Sequence, residues 1–315
     1  MEYFRKIKGS IGAIIVGLLF STCSKSPDIT PNMLDSTAIY DPSLNAPEDY
    51  LLSYFNPNPS AEEAARPVFI TCHGYTASTF EWEEFRTWTG DSADYYISMV
   101  LLGGHGLTYD EFKNATWHDW QQSIKTEYDR LVSAGYTNLN FIGSSTSCPL
   151  IVDLINSNYF TDKVVPKNIF LVDPIVIPST KILSLVNVIG PMLGYIEADN
   201  TTEEDLYWYH FQPQETLQEL NDLITKVRHQ LEDGIVLPQG CSLKVYKSIQ
   251  DGVADPVSAV LLFQGIKTSS GGDIEVDMIE SDIHVFTRLS LRDNVTVTDQ
   301  NNQLFAFNDF VLRAF

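Results

Sequence analysis

The 315-residue chain carries 41 acidic against 20 basic residues, for a formal net charge of −21. A surface this acidic repels phosphate backbones, which argues against a nucleic-acid partner. With 44% hydrophobic and only 19% charged residues, the composition excludes wholesale disorder and supports a sizeable core in one large domain or two small ones.

The chain opens "MEYFRKIKGSIGAIIVGLLFSTC", with Arg5, Lys6 and Lys8 before an apolar stretch over residues 11–20. That stretch is too short to span a bilayer and reads as a secretory signal covering residues 1–22. Ser21 and Thr22 before Cys23 resemble a bacterial lipoprotein signal, with Phe20 where Leu is usual. The resemblance implies cleavage before Cys23, lipidation of its thiol and attachment to the cell envelope, expected at the outer membrane. Ordinary secretion is the alternative. Residues 23–47 are polar and proline-dotted and are expected to act as a tether. With Cys23 lipidated an odd number of cysteines is left, Cys72, Cys148 and Cys241. The first two sit in apolar runs, so no disulfide framework is expected.

From residue 67 short apolar runs recur: "PVFITCHG", "YYISMVLL", "LNFIGS", "NIFLVDPIV" and "LKVYKSI". They are rich in β-branched and aromatic residues, as strands buried on both faces are. Helical segments separate most of them. In "TWHDWQQSIKTEYDRLVSAGY", Thr116 and Asp119 have capping-box spacing and Gly135 marks the stop. The alternation predicts an α/β fold, a mostly parallel sheet with helices on both faces, over residues 48–315. The rhythm breaks over residues 176–237, an insertion expected to form a cap. A helix over "SAVLLFQGI" and a last strand in "DIEVDMIES" complete the pattern.

The run "NFIGSSTSCPL" ends a strand in hydroxyl-bearing residues. A nucleophile elbow needs small residues two places either side of a strained serine. Gly143 and Ser147 flank Ser145 in that way. A nucleophile at 144 or 147 would instead place Ile142 or Pro149 where a small residue is required. The bland alternative is a serine-rich helix N-cap without chemistry. In "FITCHGYTAS" the strand turns at His73-Gly74, so the N–H groups of Tyr75 and Thr146 form the natural oxyanion hole, with His73 ordering the loop. The base is expected after the last strand, at His284. The acid is assigned to Asp251 at the end of "LKVYKSIQD", with Asp255 and Asp173 as rivals. In the cap, Leu185, Ile189, Met192, Tyr207, Trp208 and Phe211 are candidates for an acyl pocket. No H-x-x-x-H or C-x-x-C spacing points to a metal, and the chemistry calls for no cofactor.

Four stretches in this order, "HGYTAS", "GGHGLT" followed by "TWHDW", "IGSSTS", and "QDGVADPVSA" before "SDIHVFT", resemble the α/β-hydrolases of the bacterial carboxylesterase and monoacylglycerol lipase group. The resemblance covers residues 66–315. It implies Ser145 as nucleophile, Asp251 as acid, His284 as base, Tyr75 and Thr146 as oxyanion donors, and a small acyl ester as substrate, a neutral one suiting so acidic a chain. Ser147 departs from the family's glycine, as does "GGHG" where relatives often place a proline. The competing expectation is a catalytically silent, hydrolase-like surface lipoprotein that binds a ligand or a partner.

Overall fold

The structure, a computed structural model, describes residues 26–36, 56–90, 94–179 and 194–315. The expected signal, Cys23, and the pocket candidates Leu185, Ile189 and Met192 lie outside these residues.

Six strands form the central sheet in the order β10-β8-β4-β3-β1-β2, every neighbouring pair parallel. They are β1 (Val68–Cys72), β2 (Tyr96–Val100), β3 (Leu139–Ser144), β4 (Asn168–Val172), β8 (Ser242–Ser248) and β10 (Glu275–Ile279), with the two-residue strands β7 (Ile235–Val236) and β9 (Ile266–Lys267) paired apart from them. Strands β1, β3 and β4 are buried at every position, which is why they read as continuous apolar runs rather than alternating ones.

Helices cover both faces. On one side lie α4 (Trp117–Ala134), α5 (Ser147–Asn156), α6 (Gln214–Asp233) and α7 (Val257–Gly265), which share a core with Ile70, Phe141, Leu171 and Val245. On the other, α2 (Glu83–Thr89) and the C-terminal α8 (Val297–Ala314) pack Phe85, Phe307 and Phe310 against Phe69, Ile142 and Phe170. The α4 boundaries follow the sequence signals. Thr116 and Asp119 form a reciprocal capping box, and Gly135 closes the helix in the left-handed region at φ 100°.

Two features depart from the expected outline. Between β4 and β8, the insertion holds a small antiparallel pair, β5 (Tyr195–Glu197) with β6 (Phe211–Pro213), before α6. Their three-residue length leaves too little alternation to detect in sequence. Residues 26–36, inside the expected tether, pack onto that insertion. Leu34 is buried against Phe112 and Tyr209, and the Asp35 carboxylate accepts the N–H groups of His210 at 2.8 Å and Phe211 at 3.1 Å. The apolar residues of "ITPNML" explain the docking: with aromatic partners within reach, burial outweighs the order it requires.

Candidate active site

Strand β3 runs into α5 through a tight turn at Ser145, whose φ of 47° lies in the left-handed region. A non-glycine residue there stores roughly 1–3 kcal/mol of strain. The turn is held by its surroundings: Ser145 N–H donates to the Val172 carbonyl at 3.0 Å, and the Ser145 carbonyl accepts Cys148 N–H at 3.2 Å. Small neighbours are a packing requirement. A Cβ on Gly143 would stand 2.7 Å from Ile151 Cδ1 and 3.0 Å from Ser147 Oγ.

The other hydroxyls in the turn have structural roles. Ser147 Oγ accepts Ser144 N–H at 2.7 Å and lies 2.7 and 2.8 Å from the Cys72 and Ser144 carbonyls, to one of which its single proton goes. This hydroxyl occupies the space left beside Gly143, so serine at 147 is accommodated without moving the turn. Ser144 donates to the Glu81 carboxylate, which also accepts Gly74 N–H at 2.8 Å. Glu81 therefore ties the loop after β1 to the turn after β3. Sequence reasoning missed it, because nothing in a polar turn seven residues beyond Gly74 marks one carboxylate as buried.

Ser145, His284 and Asp251 converge at the C-terminal edge of the sheet, where sites of open α/β sheets form. His284 Nε2 lies 2.8 Å from Ser145 Oγ, and Nδ1 lies 2.8 Å from Asp251 Oδ2. A carboxylate can only accept, so Nδ1 carries the proton and Nε2 presents its lone pair to the serine hydroxyl. Asp251 Oδ1 accepts the N–H groups of Val253 at 2.8 Å and Ala254 at 3.1 Å. Burial pushes the Asp251 carboxyl up. The hydrogen bond and charge of His284, together with Lys247, outweigh that and hold it well below the usual carboxylate range.

The rival acids do other work. Asp255 Oδ1 accepts Val257 N–H at 2.8 Å and so caps α7. Asp173, which follows β4 at φ 45°, accepts Ser248 N–H at 2.7 Å and Phe286 N–H at 3.1 Å, fixing the loop that bears His284. His73 orders its own loop: Nδ1 donates to the Gly74 carbonyl at 2.8 Å and Nε2 accepts Leu102 N–H at 3.0 Å. Burial pushes its imidazole down to about 4, so it is neutral and committed at both nitrogens.

A cavity of about 410 Å³ opens above Ser145. Tyr75 and Thr146 line it, and the N–H of neither donates to a protein acceptor among the described residues. The insertion supplies the opposite wall, with Trp208, Leu217 and Leu220. Of the expected pocket residues, Trp208 lines the cavity and Phe211 does not. Strand alternation in β6 turns Gln212 to the cavity, while Phe211 packs edge-on against Tyr195, ring centroids 5.2 Å apart. Tyr207 stacks on Phe80 at 3.8 Å.

The lining is not uniformly apolar. Arg288 stacks over Trp208 at 4.3 Å and donates to Glu204 Oε1 at 3.0 Å. Arg292 donates to the His284 carbonyl at 2.6 Å and the Arg288 carbonyl at 2.9 Å. Burial pushes the Arg292 guanidinium down to about 10. Both sit in "FTRLSLRDN", beyond the last strand, where their spacing gave no cue that they turn inward.

No family model matches the chain. A thermostable monoacylglycerol lipase from Bacillus sp. (strain H-257) is 26% identical over 200 residues, covering 62% of this chain and 74% of that protein. Among solved structures, one from the metagenome-derived lipolytic enzymes LipS and LipT superposes with a TM-score of 0.60 at 18% identity, over 80% of this chain and 98% of that one. A soluble variant of monoglyceride lipase from Saccharomyces cerevisiae gives a TM-score of 0.60 at 11% identity, over 80% and 87%. The monoacylglycerol lipase of Paleococcus ferrophilus gives 0.58 at 12% identity, over 79% and 96%. A six-stranded parallel sheet flanked by helices, shared with these lipolytic proteins, is the α/β-hydrolase fold.

Proposed function

We propose that the protein is a serine hydrolase of carboxylic esters, of the esterase or monoacylglycerol lipase type, working through Ser145, His284 and Asp251. The observation that carries this reading is the continuous hydrogen-bonded path from Asp251 Oδ2 through the His284 ring to Ser145 Oγ, with both links at 2.8 Å. Ser145 Oγ attacks the ester carbonyl as His284 Nε2 takes its proton, while Asp251 holds the ring and stabilises the imidazolium. The tetrahedral oxyanion rests on the N–H groups of Tyr75 and Thr146, each donor being worth about 2.7–4 kcal/mol of barrier in such a hole. The imidazolium protonates the departing alcohol, leaving an acyl-serine. Water, activated by the same nitrogen, then releases the acid.

The likeness to monoacylglycerol lipases supports a substrate with one acyl chain. A cavity of about 410 Å³ over Ser145 has room for a small acyl ester. The lipoprotein-like start supports attachment to the bacterial envelope through Cys23. Among the described residues, no helix is long and apolar enough to cross a membrane.

Hydrolysis of p-nitrophenyl esters of graded chain length tests the proposal. Wild type should turn over the shorter esters, while Ser145→Ala and His284→Ala should not. A folded wild type inert on every ester would overturn it. Radiolabelled palmitate should enter the full-length chain and not Cys23→Ser, and equal or absent labelling in both would refute the anchor.

A further inference from the structure

Strand β8 carries two lysines, Lys244 and Lys247. Lys247 has a fully buried side chain, and a buried ammonium persists only when it is paired. Its Nζ lies 3.2 Å from Asp173 Oδ1 and in direct contact with Asp251 Oδ2. That last oxygen is the one that accepts His284 Nδ1–H. Side-chain atoms of Asp173, Asp251 and His284 all lie within 4.8 Å of one another. The Lys247 ammonium is the cation between its two carboxylates.

From this geometry we propose that Lys247 is a positioning residue that tunes His284 as a base by drawing on the same Asp251 oxygen. The proposal rests on the esterase reading and extends it to how the base is set. Two carboxylates this close to the imidazole would strongly favour the imidazolium. One ammonium between them cuts the cluster's charge from −2 to −1 and so offsets that pull on the ring. Asp173 is the necessary counterpart, because it shares the ammonium and, through Phe286 N–H, holds the His284 loop in register.

Other charged groups also face the ring. Glu81, Asp199, Glu204, Arg288 and Arg292 line the cavity above it, and Asp282, Asp293 and Asp299 line the neighbouring cleft. All of them remain in place when Lys247 or Asp173 is changed, so differences between such variants report the buried cluster alone.

The test is the acid limb of kcat/KM against pH, measured with the NMR titration of the His284 ring, which reads the same equilibrium whether or not the protein hydrolyses esters. Lys247→Met removes a positive charge, so the limb and the ring titration should move to higher pH by about one unit or more. Asp173→Asn removes a negative charge and should move both the other way. The double variant restores the net charge and should return both towards the wild-type position, which a packing role for the lysine would not do. Thermal melting identifies variants that fail to fold, and if Lys247→Met is among them, the upward shift of the double variant relative to Asp173→Asn decides, because that step removes the lysine charge alone. Unmoved titrations in folded variants, or a double variant displaced as far as Lys247→Met, would overturn the proposal. Loss of the esterase reading alone would show as an inactive wild type whose ring titration still responds.

Discussion

The two walls of the cavity are built on different principles. The sheet-side wall is made from strand ends, and backbone hydrogen bonds set almost every position in it: Ser145 N–H on Val172, Asp251 on the N–H groups of Val253 and Ala254, Asp173 on that of Phe286. The insertion-side wall is made from side chains, Leu217 and Leu220 on α6 and Trp208 on an irregular segment, with Trp208 over Arg288 and Arg288 on Glu204. The first arrangement suits a reaction that needs atoms fixed to fractions of an ångström. The second suits recognition, because an exchanged side chain alters shape without disturbing the reacting groups. Chemistry and selectivity should therefore separate under mutation.

The largest effect should come from the sheet side. Asp251→Asn keeps the shape but stops enforcing the Nδ1–H tautomer, and kcat should fall by about 10⁴ with KM little changed. A smaller kcat loss is expected from Gly143→Ala, whose new methyl group crowds Ile151 and Ser147. Overpacking of this kind typically costs about 1–3 kcal/mol, to be read from a lower melting temperature together with a lower kcat. On the insertion side, Trp208→Ala should leave kcat for a short ester within a few-fold while raising KM and altering the chain-length profile. A kcat collapse there would break the division between the two walls.

The mildest test is acid stability. The Asp251 carboxyl is depressed in the folded state, so its contribution is fully present above the unfolded value of about 3.9 and drains as pH falls through the depressed folded value. Asp251→Asn should flatten that part of a stability-against-pH curve measured by denaturant melts.

The same division explains what the sequence disclosed. Strands buried on both faces, capping boxes and the small residues around Ser145 are local patterns with local physical causes, and they located the sheet, α4 and the turn. The order Ser145, Asp251, His284 followed from strand ends that the topology gathers at one edge. Glu81 and Lys247 escaped notice because each also bridges to a partner far along the chain, 63 residues away for Glu81 and Ser144 and 74 for Lys247 and Asp173. Lys247 did leave a trace, as one of two lysines inside a strand flanked by apolar residues. Phe211 was misassigned because its direction depends on the pairing of a three-residue strand, which composition does not encode. The overall charge of −21 likewise gave no hint of two arginines in the cavity wall.

The most direct measurement is peptide mapping after reaction with a serine-directed fluorophosphonate. A single adduct on Ser145, lost in Ser145→Ala and sharply slowed in His284→Ala, is the predicted result. A folded protein that takes up no reagent, or carries it on another serine at equal rate in all three forms, would contradict the account.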